Sequence, residues 1–324
     1  MPRELIATDV RTPEFKDYDD GPLPPGHILV QVEFGSPKHG TELAEYRGVQ
    51  PAEFPMPLGN TCVGTVVEIA PDVENCSLGD RVAGRGNLRE THIWPRSSVR
   101  FLNSRMTPKE AVCYDPAQFA LGGVRDGQVR VGDNVAVFGL GAIGQMAAQL
   151  CSIAGAGIVA TIDPIAIRRE AALSAGADFS FDPTVSSVGQ KLLEITDGRG
   201  IDVAIETSGS YRALHAAIDG LSWGGTAAYV GRSEECIGGL NFGEKAHYTI
   251  PNIIFSRANS DPQREHPRWD WARFQNTCWT LLSDGRLHCE DIIYPIVGFE
   301  NAVTAYREID EFPERSIKLG VEFK

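Results

Sequence analysis

Three glycines, Gly139, Gly141 and Gly144, stand at G-x-G-x-x-G spacing directly after the apolar run VAVF and at the head of a helical stretch. Strand, glycine turn and helix in that order suit a dinucleotide. Gly139 permits the tight turn, Gly141 lets the backbone approach a pyrophosphate with no Cβ in the way, and Gly144 lets the helix lie close to the strand. The phosphates then face the N–H groups at the positive end of the helix, over Gly141, Ala142 and Ile143. Asp163 follows nineteen residues beyond Gly144, at the end of the next strand, GIVATID. A carboxylate there accepts hydrogen bonds from the adenosine ribose hydroxyls and repels a 2′-phosphate, so NAD is expected and NADP is disfavoured. Arg168, five residues on, is expected to stack on adenine or to reach a 2′-phosphate. Alone, the glycines would equally make a structural turn and Asp163 a strand-end residue before Pro164. Their mutual spacing favours the cofactor.

The elements carrying these residues alternate. VAVFG (135 to 139), GIVATID (157 to 163), ADFSFD (177 to 182), IDVAIE (201 to 206) and TAAYVG (226 to 231) read as strands. IGQMAAQLCSIAG, AIRREAALSAG and YRALHAAIDGLS between them read as helices, which implies an α/β unit with a parallel sheet covered on both faces. The first hundred residues instead show short β-branched runs, HILVQVEF (27 to 34) and CVGTVVEIA (62 to 70), followed by a GDRVAG turn at 79 to 84, as in a bent β domain. The tail predicts helices near WDWARFQNTCWTLLSDG and FENAVTAYREIDE and a final strand at IKLGVEF. A chain of 324 residues exceeds what one core usually serves, so two domains are expected.

Composition narrows the partners. With 42% hydrophobic and 23% charged residues the chain is an ordinary globular one. A formal charge of −13 with no basic run argues against nucleic acid and anionic membranes. No apolar stretch is long enough to span a bilayer and the N-terminus lacks a leader-like apolar core, so no membrane partner and a cytoplasmic location are expected. Seven scattered cysteines, never paired as C-x-x-C, suggest reduced thiols packed as small hydrophobes.

LVQVEFGSPKHGTELAEYRG, PLGNTCVGTVVEIAPDV, GDRVAG and AVCYDPAQFALGGV before the glycine turn, then IDVAIETSGS, GGTAAYVG and SIKLGVEF after it, resemble the medium-chain dehydrogenase/reductase superfamily in its alcohol and polyol branch. The likeness runs nearly end to end. It implies a GroES-like β domain built from residues 1–112 and 260–324, a Rossmann NAD-binding domain with a doubly wound parallel sheet over 113–259, and an active site in the cleft. It adds Thr207, Ser208 and Gly231 to the cofactor contacts, and implies a homodimer or homotetramer with IPNIIFSRA near 250 to 258 as an edge strand pairing between subunits.

The departures concern metal. His39 occupies the place of a zinc-ligating cysteine, and Gly59-Asn60-Thr61 replaces Gly-His-Glu. His39 and Asp115, which matches a glutamate of some polyol enzymes, are the remaining donors, where a catalytic zinc needs three protein ligands. The four-cysteine structural zinc lobe is also missing between GDRVAG and GNLRETHIWP. No zinc is expected. Removing a hydride and a proton from an alcohol then falls to the cofactor and to side chains. His39 is expected as general base, working with the Thr41 hydroxyl, while Lys38 orients substrate oxygens. Asn60, Thr61 and Asp115 are expected to hydrogen-bond a polar substrate and Trp94 to stack on a sugar ring. The substrate is thus a small alcohol or ketone of sugar, polyol or cyclitol type. Each of these residues also has an ordinary structural reading, as a satisfied loop, helix-start or core side chain. Two functional alternatives remain: a zinc-free NADPH enoyl or quinone reductase, and a catalytically silent dinucleotide-binding protein.

Overall fold

The structure is a computed structural model that describes every residue except 233–235, 238 and 261. Two compact units emerge, the first from Met1–Cys113 and Leu282–Lys324, the second from Tyr114–Leu281.

The first unit is mostly β. A hairpin of β1 (Arg3–Asp9) and β2 (Thr12–Asp17) pairs with β4 (Met56–Pro57) in a small sheet. A larger sheet uses β3 (His27–Ser36), β5 (Thr61–Ile69), β6 (Arg81–Arg85), β8 (Arg100–Phe101) and the tail strands β15 (Ile293–Gly298) and β16 (Lys318–Glu322). Its order is β15-β16-β3-β5-β6-β8, with β7 (Thr91–Pro95) also on β3. Alternation in β3 sends Ile28, Val30 and Val32 into a core with Val66, Val82 and Trp94. Two registers matter for the site. Ser36 lies opposite Thr61, and β16 runs antiparallel to β3 with Val321 opposite Gly35. The end of β3, the start of β5 and the returning tail therefore converge. The helices here are α1 (Thr41–Tyr46), α2 (Pro108–Val112) and α10 (Ala302–Glu311). The hairpin of β1 and β2 falls in a stretch that carried no element in the sequence reading. GDRVAG proves to be turn only at Gly79–Asp80, where Gly79 has φ +88, and then becomes β6.

The second unit is the expected doubly wound sheet. Its strands are β9 (Asn134–Phe138), β10 (Ile158–Ile162), β11 (Phe179–Phe181), β12 (Ile201–Glu206), β13 (Leu221–Tyr229) and β14 (Asn252–Phe255), all parallel in the order β11-β10-β9-β12-β13-β14. Helices α3 (Tyr114–Asp126), α4 (Ala142–Ala154), α5 (Ala166–Ser174), α6 (Val188–Glu194), α7 (Tyr211–Gly220), α8 (Lys245–Thr249) and α9 (Trp271–Ser283) complete it. Ala136, Ala160 and Ala204 face α6 and α7 through Val188, Leu192 and Leu214. On the opposite face Val203, Ile205 and Ala228 meet α3, closely enough that a Cβ on Gly123 or Gly127 would strike them. Burial on both faces is why these strands read as continuous apolar runs. β9 has β10 on one side and β12 on the other, so the strand order reverses at the Phe138 end of β9, where ligands of such sheets bind.

The second boundary lies at 281/282, not at 259/260. Residues 260–281 stay with the Rossmann unit because α3 grips them: Arg125 pairs with Glu265, Arg264 reaches Asp126 at 3.3 Å, and Arg125 and Arg273 stack on Trp269 at 3.5 and 4.4 Å. These are contacts to residues far along the chain, which local spacing does not reveal.

Candidate functional site

The second unit holds the expected cofactor residues together. Gly139 has φ +81, and a Cβ there would lie 2.8 Å from the Ser208 Cβ. A Cβ on Gly144 would lie 1.8 Å from the Gly139 carbonyl oxygen, so helix α4 can start this close to the turn only with glycine at that position. Nothing lies within 4 Å of a Cβ built on Gly141, which caps α4, leaving open space before the partly exposed first turn of Ala142 and Ile143. The positive helix end and the free approach fit a pyrophosphate. Thr207 ties itself to the turn, its amide donating to the Phe138 carbonyl at 2.9 Å and its hydroxyl to the Gly139 carbonyl at 2.7 Å. Gly231 packs so closely on Gly209 that a Cβ would fall 2.2 Å from the Gly209 nitrogen.

Asp163 is buried, and backbone amides aim its carboxylate. Leu140 N–H donates to Oδ2 at 2.7 Å and Ile165 N–H to Oδ1 at 2.8 Å. Arg168, expected against adenine or a 2′-phosphate, turns towards this carboxylate, with Nη1 3.8 Å from Oδ2. Burial lowers the Arg168 pKa and Asp163 opposes that shift. Gln145 escaped the sequence reading. Its Nε2 donates to the carbonyls of Leu140 at 3.2 Å and Arg168 at 2.7 Å, joining turn to α5. Glu206 escaped it too, although, like Asp163, it is an acid closing an apolar strand. Asp115 belongs to this unit, on the first turn of α3 and partly exposed.

In the first unit, Lys38 and His39 lie on the segment leading into α1, Thr41 is the first residue of that helix, and Asn60 and Thr61 lie buried at the start of β5. The Asn60 amide donates to the Ser36 carbonyl at 3.1 Å, holding the two segments together. Nε2 of His39 accepts the Leu319 N–H at 2.9 Å. The neutral ring in this arrangement therefore carries its proton on Nδ1. Asn60 Nδ2 donates to the Thr61 hydroxyl at 3.1 Å.

Behind these residues sits Glu42, which no spacing argument had singled out. One oxygen accepts the Tyr306 hydroxyl at 2.6 Å and the Gly59 amide at 3.0 Å, and the other the Lys38 amide at 3.3 Å. Burial pushes its pKa up to about 7, against the pull of Tyr306, the two amides and the Lys318 ammonium. Lys318, also buried, donates to the Pro37 carbonyl at 2.7 Å.

Trp94 is not available as a sugar platform. It is 6% exposed, its Nε1 donates to the Arg85 carbonyl at 3.0 Å, its ring stacks on His92 at 4.6 Å, and it fills the slot left by the absent Cβ of Gly84. Core packing has claimed it.

A family model described as zinc-binding dehydrogenase matches residues 142–260, and one described as the alcohol dehydrogenase GroES-like domain matches residues 24–96. The D-guloside 3-dehydrogenase of Escherichia coli K12 is 42% identical to this chain over 99% of it and 100% of the relative. The chain belongs to the medium-chain dehydrogenase/reductase family. This dehydrogenase is also similar to the L-threonine 3-dehydrogenase of Pyrococcus horikoshii, at 27% identity over 70% of this chain and 72% of that one. Aspergillus niger D-xylulose reductase A is 25% identical over 90% of each chain. Among solved structures, galactitol-1-phosphate dehydrogenase from Escherichia coli shares the fold with a TM-score of 0.82 at 20% identity over 99% of each chain. The medium-chain dehydrogenase is thus an NAD(P)-dependent oxidoreductase acting on CH–OH groups of the alcohol and polyol class. That sets aside the silent-protein and enoyl-reductase alternatives. It lacks the family's usual zinc ligands, and among the described residues no three His, Cys, Asp or Glu side chains are grouped to hold a metal. No helix among them is long and apolar enough to cross a membrane.

Proposed function

We propose that this dehydrogenase oxidises a ring hydroxyl of a sugar glycoside to a ketone, with NAD as hydride acceptor and without catalytic zinc. The metal-free part rests on the hydrogen bond from Leu319 N–H to Nε2 of His39. A ring nitrogen that accepts this bond has no lone pair for a metal, and Asn60 and Thr61, bonded to each other, replace an imidazole and a carboxylate. The donor set does not fit zinc. NAD is supported by the buried, amide-oriented Asp163. The glycoside is supported by the relative at 42% identity that is named for oxidising a guloside, and by the polar character of Lys38, His39, Thr41, Asn60 and Thr61.

Bound NAD supplies the hydride acceptor, and Gly139, Gly141, Ala142, Ile143, Gly144, Asp163, Thr207, Ser208 and Gly231 would hold it. His39 takes a role different from the general base expected above. With Nε2 accepting the Leu319 N–H, the neutral ring carries its proton on Nδ1 and acts as a donor rather than a base, the character needed to stabilise negative charge growing on the substrate oxygen. The Thr41 hydroxyl starts the exit of the proton to bulk water, and Lys38 and Asn60 orient neighbouring hydroxyls.

The test is NAD reduction by a panel of glycosides and polyols, with and without a chelator. Glycosides are expected to turn over equally in both. His39→Asn, which keeps an acceptor and a donor, should retain more kcat than His39→Ala, whose loss should reach roughly 10²- to 10³-fold, the usual effect of one oxyanion donor. Full turnover by His39→Ala refutes the His39 role, and loss of turnover in chelator refutes the metal-free reading.

A further inference from the structure

Glu206 closes β12 with its carboxyl group buried at the end of the parallel sheet. Oε1 accepts the Ser208 N–H at 2.7 Å and the hydroxyl of the same residue, and Oε2 accepts the Gly209 N–H at 3.0 Å. Its backbone carbonyl accepts the amides of Val230 at 2.7 Å and Gly231 at 3.0 Å. Ser208, held in this way, is the residue that occupies the space beside Gly139, and Gly209 is the one packed under Gly231. One side chain thus gathers the segments that border the glycine turn.

We propose that Glu206 is a positioning residue for the dinucleotide: its ionised carboxylate sets residues 207–209 against the glycine turn, and taking up a proton loosens that site. The inference rests on the second unit being the cofactor domain. All three contacts to the carboxyl group are donors. A proton on Oε2 confronts the Gly209 N–H, and one on Oε1 has to be donated to the Ser208 Oγ, which then loses the carboxylate as acceptor of its own hydroxyl proton, so either placement breaks the match of three donors to one carboxylate. Burial alone pushes the Glu206 pKa up, to about 7, and the Ser208 hydroxyl and the two amides resist it. Of the neighbouring elements, β9 presents Phe138, α7 opens on Ser210, and β13 presents Tyr229, whose hydroxyl donates to the Gly209 carbonyl at 2.8 Å. No charged side chain among the described residues contributes to the shift. The group therefore titrates within the range where the enzyme can be assayed, and no substrate is needed to see it.

The experiment is fluorescence titration of the full-length protein with NADH from pH 5.5 to 8.5 at fixed ionic strength. The dissociation constant is expected to rise roughly five- to tenfold towards acid pH, the effect of one hydrogen bond, with a midpoint near pH 7. Glu206→Gln should give a flat profile at the acid-limb value. Ser208→Ala, which removes a donor favouring the ionised form, should move the midpoint to higher pH, and decides the matter should Glu206→Gln not fold. A flat wild-type profile, a profile retained in Glu206→Gln, or an unmoved midpoint in Ser208→Ala overturns the inference while leaving cofactor binding intact. Absence of NADH binding at pH 8.5 overturns both.

Discussion

Asp163 gives the sharpest test of cofactor choice. Its two oxygens are aimed by the Leu140 and Ile165 amides, so the carboxylate cannot swing away from an incoming phosphate without breaking hydrogen bonds of 2.7 and 2.8 Å. Two unit charges about 4 Å apart at an effective dielectric constant near 20 interact by about 4 kcal/mol, and a phosphate monoester carries more than one charge at neutral pH. Arg168, with Nη1 3.8 Å from the carboxylate, attracts the same phosphate and cancels part of the repulsion. A net penalty of about 3 kcal/mol against NADPH remains, a ratio on the order of a hundred in dissociation constants. Asp163→Asn removes the charge but keeps one oxygen for a backbone amide. NADH binding should weaken by roughly tenfold through loss of a charged hydrogen bond, NADPH binding should strengthen, and the ratio should fall towards one. Paired fluorescence titrations with NADH and NADPH at one low ionic strength measure it, since salt screens the exposed part of the effect. Equal affinities in the wild type, or an unchanged ratio in Asp163→Asn, would refute the reasoning and make Arg168 the phosphate-binding residue.

Two further outcomes follow from geometry already described. Glu42, moved from the ordinary 4.5 to about 7, contributes about 3 kcal/mol of stability that is complete below pH 4.5 and lost as pH rises through 7; wild type should therefore lose that much relative to Glu42→Gln between pH 4.5 and 8 in urea unfolding, and parallel curves would count against the burial argument. β14 is one of the two edge strands of its sheet and carries the exposed Phe255, so we expect a homo-oligomer with this edge inside it. Phe255→Lys should shift sedimentation towards the monomer.

What could be read from sequence was local. The glycines and Asp163 lie within 25 residues of one another, inside one strand-helix-strand unit, and their spacing alone placed them. The network around His39 could not be read that way. Tyr306, on α10, meets Glu42 across 264 residues, while Leu319 meets His39 across 280 and Lys318 meets Pro37 across 281 because β16 returns beside β3. Trp94 misled for a different reason. A tryptophan among polar residues suggests a sugar platform, yet Gly84 and Gly86, two residues apart, leave the slots into which Trp94 and His92 fit. That small-residue pattern was a signal available in the sequence.

The same distinction bears on what holds the loops of the first unit together. A bound zinc would gather the turn at 38–41 and the segment at 59–61 by bonds to both. In this chain Glu42 already joins them, taking the Lys38 amide on one oxygen and the Gly59 amide on the other, with Tyr306 and Lys318 completing its surroundings. Glu206 does the corresponding work in the second unit, joining residues 208 and 209 to the strand beside the glycine turn. Each post is a buried carboxyl group with a pKa raised to about 7, held by three donors. On the metal-free reading, geometry beside the glycine turn depends on the ionised Glu206, whereas burial makes the protonated Glu42 the more stabilising form, so the enzyme's sensitivity moves from chelators to protons. On that reading, activity falling below neutral pH through Glu206 and indifference to chelator should accompany each other.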